Sequence, residues 1–299
     1  MAYSLLRVGQ SPTNQEIERF GRTIKTVRLS SGSHRTTYAG RFRDLDELAT
    51  SVLKRTFAPN YPLRIYDLGT SDALACSEWA RTLLSLWTNS TVVASDHRLY
   101  LIEGRRSNRE AVIFEPGGTP LQFIRPPFVV ALDYGERWIY FGNRLMSWWG
   151  TRLAEPLCNI VRGLSWDPIF DSRVQRVDGW EFRQISLLHP SARALMRSSA
   201  RFRIQEHDAF NELAEPCEVL RILNLYNEEL FTSETITDGL RAAFRSLTDG
   251  GMLILGRTVE DGKPRNEVSI FTKRLGAFTL VERLGGGSEL EQLVLSRVP

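Results

Sequence analysis

The amino-acid sequence predicts an α/β fold built on a Rossmann-like sheet, with a helical N-terminal region and a β-rich insertion. An apolar strand at residues 63–68 is followed by a glycine, Gly69, and then by apolar residues at helical spacing. The alternation of strands and helices stops near residue 98 and resumes near residue 184. Close to the C-terminus, Gly285-Gly286-Gly287 separates two extended runs, which predicts a terminal antiparallel hairpin. Together these patterns are typical of an open α/β sheet that carries an insertion.

Composition and charge favour a folded protein without a nucleic-acid partner. Of the 299 residues, 42% are hydrophobic and 24% are charged, which is compatible with a sizeable packed core. The formal net charge is only +3, whereas nucleic-acid-binding domains concentrate positive charge on one face. The apolar runs are too short to span a bilayer, and residues 1–10 lack the layout of a secretion signal. We therefore expect a cytoplasmic protein with no transmembrane segment.

The cysteines and histidines predict neither a disulfide framework nor a metal site. Cys76, Cys158 and Cys217 are odd in number and lie far apart, and no C-x-x-C pair is present. The four histidines also lack the spacing of metal ligands. A reducing compartment and the absence of a bound metal are the corresponding expectations.

Residues 1–60 are predicted to form the helical N-terminal region. Asn14 is expected to cap a first helix, which carries Ile17 and Phe20 on one face. A second helix is expected from Asp44 to Phe57, where apolar residues again recur at helical spacing. The prolines that follow end this region before the first strand of the sheet.

Residues 61–97 and 184–299 are predicted to form the Rossmann-like domain. The expected strands comprise residues 63–68, 91–95, 201–205, 218–223, 252–255, 278–284 and 290–298. The expected helices begin near Leu74, Ser191, Glu234 and Val268, the last because Val268, Phe271 and Leu275 follow helical spacing. The β-α-β order implies parallel strands joined by right-handed crossovers.

Residues 98–183 are predicted to form the β-rich insertion, with a helical continuation near residues 145–161. Its aromatic and large apolar side chains include Trp138, Phe141, Leu145, Met146, Trp148 and Trp149. At helical spacing such residues most often pack in a core. The alternative is an apolar lid over a hydrophobic acceptor, or a surface for a partner.

Small or acidic residues follow successive strands of the predicted sheet. The first strand ends at Asp67-Leu68-Gly69, the second at Asp96 and the fourth at Asn224, while Asp208 follows the third. In open α/β sheets, ligands bind at the carboxyl ends of the strands. Each residue also has a simpler explanation, such as a helix N-cap for Asp72 or a turn for Asp96 and Asp208. Their occurrence together, in chain order, favours a ligand site at this edge.

The chemistry of these positions suits a nucleoside that carries an anionic group. A glycine directly after a strand lets a ligand approach the main chain, and the N-terminus of the next helix presents N–H groups to an anion. An acidic residue at the end of the second strand can accept hydrogen bonds from two ribose hydroxyls. A dehydrogenase would require G-x-G-x-x-G, but the next glycine after Gly69 is Gly104.

Several segments of the Rossmann-like domain resemble motifs of one known family. The run Ile65-Tyr66-Asp67-Leu68-Gly69-Thr70-Ser71-Asp72-Ala73 resembles the first motif, D-x-G-x-G-x-G, of class I S-adenosylmethionine-dependent methyltransferases. Residues 207–210, 219–224 and 247–254 are similar to later motifs of that family, and the chain's end is similar to its closing reversed hairpin. The resemblance covers roughly residues 60–100 and 184–299 and implies a seven-stranded methyltransferase sheet.

The insertion point gives the resemblance a more specific form. The chain is most similar in layout to the chemotaxis-receptor (CheR-like) glutamate methyltransferases, which carry a small β subdomain after the second strand. The string Arg221-Ile222-Leu223-Asn224-Leu225 also looks like theirs. In those enzymes the helical N-terminal region offers an arginine to the cofactor, and Arg41 is the matching candidate.

The resemblance implies that the chain binds S-adenosyl-L-methionine. Its loop under the methionine part would comprise Asp67, Gly69, Thr70, Ser71, Asp72 and Ala73. Asp96 would bind the ribose hydroxyls, while Asp208 and the backbone of Ala209 would read the adenine. Asn224 and Leu225 would line the methyl-donor end.

The sequence departs from the family at three places. Ser71 and Ala73 stand where the first motif has its second and third glycines, and the N-P-P-[YF] signature of DNA-adenine and glutamine methyltransferases is absent. The run Asn224-Leu225-Tyr226-Asn227 occupies its position, which argues against methylation of those amino groups. An oxygen or carboxylate acceptor is expected instead, and a carboxylate needs no general base.

No strong catalytic base is evident, and the acceptor itself is not identified. The candidate catalytic residues are Tyr226 and Asn227, which follow the fourth strand where acceptors usually approach, and His207, which adjoins the adenine position. Two functions are compatible with the sequence: an active methyltransferase, or a non-catalytic member of the fold that binds cofactor or serves as a protein-interaction scaffold. Ser71, Ala73 and the missing base motivate the second hypothesis.

Overall fold

A computed structural model describes residues 1–32, 35, 37–107, 110–132, 141–169 and 172–297. The helices are α1 (Asn14–Ile24), α2 (Arg43–Thr56), α3 (Leu74–Leu86), α4 (Phe141–Ala154), α5 (Leu157–Gly163), α6 (Pro190–Ser198), α7 (Ser233–Ser246) and α8 (Glu291–Arg297). The strands are β1 (Arg64–Leu68), β2 (Thr91–Asp96), β3 (Tyr100–Ser107), β4 (Glu110–Phe114), β5 (Pro120–Arg125), β6 (Phe128–Ala131), β7 (Val174–Val177), β8 (Trp180–Ser186), β9 (Phe202–Glu206), β10 (Cys217–Leu223), β11 (Leu247–Val259), β12 (Arg265–Arg274) and β13 (Ala277–Leu284).

The chain forms two compact units. The first, called the β unit, comprises residues 1–37 and 98–190, and the second, called the sheet unit, comprises residues 38–97 and 191–299. The predicted N-terminal region of residues 1–60 is therefore divided: α1 belongs to the β unit, whereas α2 belongs to the sheet unit. Within the β unit, Phe20 and Ile24 of α1 share a core with Leu101 and Ile113 of the insertion strands.

The sheet unit confirms the predicted fold class. Its seven strands lie in the order β13-β12-β11-β10-β1-β2-β9. The five strands β9, β2, β1, β10 and β11 are parallel to one another, whereas β12 and β13 are antiparallel to their neighbours. The parallel part has the strand order of a Rossmann-like sheet. Its first strand lies beside its fourth, and the direction in which successive strands are added to the sheet reverses between these two. Here that switch falls between β1 and β10.

Two predictions near the C-terminus are wrong. The segment around Val268 and Phe271 was expected to be helical but forms β12, which pairs with β11 over eight residues. Residues 268–272 are all buried, so β12 carries apolar side chains on both faces, and Val268 and Phe271 imitate helical spacing, while Leu275 lies beyond the strand and is fully exposed. The last expected strand, at residues 290–298, is instead α8; Val294 within this helix and Leu290 directly before it are both buried at helical spacing.

The start of α1 also differs by one residue from the prediction. Thr13, not Asn14, is the N-cap: its hydroxyl accepts from the Glu16 backbone, while the Glu16 carboxylate accepts from the Thr13 backbone N–H at 2.8 Å. This reciprocal capping box satisfies two N–H groups that the helix itself leaves without partners.

The β unit contains a second sheet, as the β-rich insertion predicted. Its six strands lie in the order β6-β5-β4-β3-β8-β7, and all neighbours are antiparallel. Helix α4 packs on β5 and β6. Trp138 and the side chain of Phe141 lie outside the part that the structure describes. Across the described residues, no helix is long and apolar enough to cross a membrane.

A hydrogen-bonded carboxylate joins α8 to the terminal strands. Glu291 accepts from the Ser269 hydroxyl at 2.7 Å and from Arg283 Nε at 2.8 Å. The bond from Arg283, assisted by Ser269, lowers the pKa of Glu291 to about 2, although burial opposes this shift. Because the unfolded chain protonates this group near pH 4.5, the folded state gains stability above that pH.

Replacing Glu291 by glutamine is therefore expected to destabilise the protein in a pH-dependent way. The loss should be full at pH 6 and should shrink as the pH falls from about 4.5 to 2, where the wild-type carboxylate also becomes protonated. Urea unfolding of both proteins at several pH values measures this difference. Glu234→Gln, at an exposed position, is the matched control. A loss that is constant with pH would contradict the assignment.

Candidate functional site

The candidate site lies at the carboxyl edge of the parallel strands in the sheet unit. Residues 67–73 close β1 and lead into α3, while Asn224 and Leu225 follow β10. Because β1 and β10 are neighbours and parallel, their ends meet at the switch point of the sheet. This is the location where open α/β sheets bind ligands.

The loop after β1 has a left-handed backbone at three alternate positions. The φ angles are +72° at Gly69, +61° at Ser71 and +60° at Ala73. Only glycine adopts this conformation without a steric penalty, and other residues pay about 1–2 kcal/mol. The three positions are those of the glycines in the D-x-G-x-G-x-G motif, so the loop retains a glycine-type path although two of its residues have side chains.

Hydrogen bonds from the loop hold it against the end of β2. The backbone N–H groups of Gly69 and Thr70 donate to the Ser95 carbonyl at 2.8 and 3.0 Å. The next N–H, that of Ser71, donates to Asp96 Oδ2 at 2.8 Å. Asp96 thus lies beside the loop. The bond from the Ser71 N–H to one of its carboxylate oxygens fixes the orientation of the Asp96 side chain.

Asp72 and Ala73 form the entry into α3. The Asp72 side chain is buried and accepts from the Leu74 N–H at 3.0 Å, while Ala73 occupies the N-cap position without a side-chain bond. Asp72 therefore helps to start the helix, which is the simpler role considered for it. The helix N-terminus follows the loop directly, so its first N–H groups belong to the same edge of the sheet.

Leu225 packs directly over Gly69. A Cβ atom at Gly69 would lie 3.1 Å from Leu225 Cδ2 and 3.3 Å from its Cδ1. No side chain fits at position 69 without displacing Leu225, and the positive φ independently requires glycine there. The structure thus brings together the two strand ends that the sequence assigned to one site.

Arg41 and Asn224 meet at the end of β11. Asn224, with φ of +54°, accepts from the Thr258 N–H at 2.7 Å through its side-chain oxygen. Arg41 Nε donates to the Thr258 hydroxyl at 3.1 Å, and its guanidinium lies 3.3 Å from Glu260. The Arg41 side chain is only 7% exposed, and burial lowers its pKa. The predicted arginine is therefore fixed at the carboxyl edge of the same sheet.

The remaining predicted residues form a group around Ala209. Tyr226 is buried and donates its hydroxyl to the Ala209 carbonyl at 2.7 Å, and burial raises the pKa of this hydroxyl. Asp208 accepts from the Phe210 N–H at 3.1 Å. His207 Nε2 lies 3.1 Å from the Asn211 carbonyl, and Asn227 accepts from the Glu229 N–H at 2.8 Å. Each of these side chains is bonded to backbone and shapes the turns after β9 and β10.

A buried ion network lies under the loop, and the sequence analysis did not identify it. Arg221 of β10 is fully buried, pairs with Asp67 at the end of β1, and reaches Asp46 of α2 at 2.7 Å. Its guanidinium carbon lies 4.4 Å from the centre of the Trp79 ring. A single arginine within the apolar strand Cys217–Leu223 is the signal that indicates a buried acidic partner, because an isolated charge is too costly to bury.

This network changes the role of Asp67. The carboxylate of Asp67 is buried and paired with Arg221 of β10. This ion pair holds the start of the loop against β10. Burial raises the pKa of Asp46 to about 7, even though Arg221 attracts its charge, and the nearby Asp67 raises it further. The Arg221 guanidinium is therefore the shared ion-pair partner of Asp67 and Asp46.

Metal binding has no support in the described residues, where no cluster of three or more His, Cys, Asp and Glu side chains could hold an ion. The cysteines Cys76 and Cys217 are buried, and burial raises the pKa of both thiols. All three cysteines are free.

Comparison with known proteins yields structural similarities only. No protein-family model and no curated protein sequence matches the chain. Among solved structures, it is similar to the pyocyanin biosynthetic protein PhzM (9% identity, TM-score 0.32, covering 73% of this chain and 39% of that one). It is also similar to the CMeT domain of citrinin polyketide synthase (9%, 0.36, 81% and 39%) and to human N-acetylserotonin methyltransferase in complex with SAM (8%, 0.31, 82% and 38%).

These similarities are limited in extent. The chain spans about two-fifths of the length of each of these three structures. Identities of 8–9% and TM-scores below 0.5 are too low to transfer an activity or a ligand position. The fold class of the chain rests instead on its own strand order, and its function has to be argued from its own residues.

Proposed function

We propose that the chain is a class I S-adenosylmethionine-dependent methyltransferase acting on an oxygen or carboxylate acceptor. The observation that carries the proposal is the left-handed backbone at Gly69, Ser71 and Ala73. Two of these residues are strained there, and strain of about 1–3 kcal/mol per residue persists where function requires the geometry. Three left-handed residues at alternate positions, directly after β1 at the switch point, keep the backbone path of the glycine motif, and this supports a ligand at the loop.

The residues at the strand ends fit an S-adenosylmethionine molecule. Gly69 lies at the switch point, where open α/β sheets bind ligands, and Leu225 packs over its backbone. Asp96 is oriented by the Ser71 N–H, and a carboxylate with about four acceptor sites can also accept from ribose hydroxyls. Within this proposal Asp208 and the backbone of Ala209 read the adenine, and the loop of residues 67–73 lies under the methionine part.

The methyl-donor end is proposed to lie beside Leu225 and Asn224. The contact of Leu225 with Gly69 supports this placement, because it joins the end of β10 to the loop. Arg41 is proposed to offer its guanidinium to the carboxylate of the cofactor. Its link to Asn224 through Thr258 supports that role, since it holds a buried cation at the same edge.

The chemistry requires alignment more than proton transfer. Bound S-adenosylmethionine supplies an activated methyl group, and the protein has to hold donor and acceptor in line, which can contribute several kcal/mol. A carboxylate acceptor is already ionised and needs no base. The Tyr226 hydroxyl donates to a backbone carbonyl, and burial raises its pKa, so we assign Tyr226 to positioning the turn at Ala209. His207 and Asn227 have the same positioning role in this proposal.

The similarity in layout to chemotaxis-receptor methyltransferases forms part of the proposal. A six-stranded antiparallel sheet is inserted between β2 and β9, at the position where those enzymes carry their β subdomain. A protein carboxylate as acceptor and a cytoplasmic location would accord with that similarity.

Calorimetric titration followed by a turnover assay tests the proposed function. Titration with S-adenosylmethionine and with S-adenosylhomocysteine is expected to give saturable binding, whereas NAD, the ligand of the rival dehydrogenase fold, should give none. Transfer of a labelled methyl group is then measured over a panel of hydroxyl and carboxylate acceptors. No binding of either ligand at millimolar concentration would contradict the cofactor. Binding without turnover on any acceptor would contradict catalysis and favour the non-catalytic hypothesis.

A further inference from the structure

The β unit exposes an apolar face formed by α4 and the hairpin of β5 and β6. We call it the aromatic face and define it by Phe128, Val129, Leu145, Trp148 and Trp149. The exposed fractions reach 55% at Trp148, 50% at Phe128, 49% at Leu145 and 41% at Trp149. Scattered exposed apolar residues are ordinary, but a contiguous group of large ones marks an interaction surface.

Helix α4 is docked by its opposite side. Gly150 faces the sheet so closely that a Cβ atom there would lie 2.6 Å from Phe123 Cβ, and Ala154 is also buried. Leu145, Trp148, Trp149 and Arg152 have the spacing of a single outward helical stripe. The two tryptophans therefore do not belong to the core, which corrects the more common interpretation of their spacing.

Arginines accompany the exposed tryptophans. The guanidinium of Arg125 lies 5.9 Å from the ring centre of Trp149, and that of Arg152 lies 5.9 Å from that of Trp148. Their ion pairs with Glu110 and Glu155 are long, at 3.7 and 3.8 Å, and such exposed pairs contribute little. The arginines are thus held beside the aromatic rings and remain open to solvent.

The charge of the whole chain is divided unevenly between the two units. The β unit contains 18 Lys and Arg against 12 Asp and Glu, which gives +6. The sheet unit contains 20 against 23, which gives −3. The aromatic face therefore belongs to the basic part of an otherwise nearly neutral chain, and this charge is complementary to an anionic surface.

We propose that the aromatic face binds the surface of an anionic lipid bilayer. Tryptophan and phenylalanine side chains at the level of the headgroups, flanked by arginines, are the composition of interfacial membrane-binding segments. Arginine forks match phosphate geometry, so the rim of the face can bind lipid headgroups. This proposal does not depend on the proposed catalytic function.

Vesicle co-sedimentation tests the proposal directly. The full-length protein is mixed with vesicles of phosphatidylcholine alone or with 30 mol% phosphatidylglycerol, at low salt. Binding is expected to the anionic vesicles, and the double variant Trp148→Ser/Trp149→Ser should reduce the partition coefficient by about tenfold or more, as expected when two large apolar side chains no longer leave water. Arg125→Glu/Arg152→Glu should reduce it as well, and about 1 M salt should weaken wild-type binding because the screening length falls to about 3 Å.

Matched controls and a second measurement decide between the outcomes. Leu230→Ser replaces a leucine that is 57% exposed in the sheet unit and should leave binding unchanged. Circular dichroism shows whether each variant is folded, and the exposed positions make folding of the tryptophan variant expected. No sedimentation with anionic vesicles, or equal binding by the tryptophan variant, would overturn the proposal. A wild-type dimer in ultracentrifugation that the tryptophan variant abolishes would overturn it too, because the face would then be a self-association surface.

Discussion

Replacing Arg221 by methionine is expected to lower the free energy of unfolding by about 3–5 kcal/mol. Arg221 is fully buried and is the shared partner of Asp67 and Asp46. Its removal leaves the buried Asp67 carboxylate without a counter-charge and the partly buried Asp46 without its partner, and breaking a buried ion pair in this way costs that much. The guanidinium also lies 4.4 Å from the centre of the Trp79 ring, and that contact is lost as well. Urea denaturation at pH 7 measures the change.

An exposed ion pair provides the comparison for this variant. Arg245 pairs with Glu212 at 2.8 Å, with both side chains about half exposed, so Arg245→Met should cost no more than about 1 kcal/mol. If Arg221→Met cost no more than this control, the network would not stabilise the sheet unit as proposed. Arg221→Lys keeps the charge but not the two-pronged geometry, and an intermediate loss is expected.

The stability of the protein is expected to fall as the pH rises from about 4 to 7, because of Asp46. Burial raises its pKa to about 7, against 3.8 in the unfolded chain. Between these values the folded state holds a proton that the unfolded state has released, so each pH unit favours unfolding by up to about 1.4 kcal/mol. Asp46→Asn removes this titration and should remove its share of the slope.

The comparison of wild type and Asp46→Asn isolates this effect from other titrating groups. The difference in unfolding free energy, wild type minus variant, should fall steadily between pH 4 and 7 and level off above pH 7. Asp238→Asn, at an exposed position, is the control and should show no such slope. A difference that does not change across this window would show that Asp46 ionises in the folded protein near its ordinary value.

The sequence was sufficient to predict the sheet and the edge at which the candidate site lies. Asp96 could be placed beside the loop because it ends the strand that follows a strand–glycine–helix unit. The resemblance placed Ser71 and Ala73 at the positions of two motif glycines, and the structure shows that both keep a left-handed backbone. These predictions depend on residues that are close together in the sequence, and such local patterns are retained in the folded chain.

Other features depended on contacts that no local pattern contains. Arg221 and Asp46 are 175 residues apart in the sequence, so only folding brings the two side chains together. The burial of β12 on both faces produced an apolar pattern that imitates a helix. Trp148 and Trp149 have the spacing of a core stripe, and only the packing of Gly150 on Phe123 shows that they face outward.

The loop from Asp67 to Ala73 combines two kinds of support. Below it, Arg221 pairs with Asp67 and is itself bonded to Asp46, while beside it Asp96 accepts from the Ser71 N–H. The strained backbone at Ser71 and Ala73 is thus supported from two directions. Such support is what allows a strained site to persist in a folded protein.

The most direct test of the central claim is a titration of wild-type protein and Asp96 variants with S-adenosylhomocysteine. Asp96→Ala is expected to weaken binding by about tenfold or more, because hydrogen bonds to a charged acceptor are lost. Asp96→Asn can still accept from the Ser71 N–H and should weaken binding less, whereas Asp249→Ala, at an exposed position, should have no effect. Saturable wild-type binding with this ranking is the predicted result. Wild-type binding that is absent, or that is equal in Asp96→Ala, would contradict the assignment of the loop and Asp96 to an S-adenosylmethionine site.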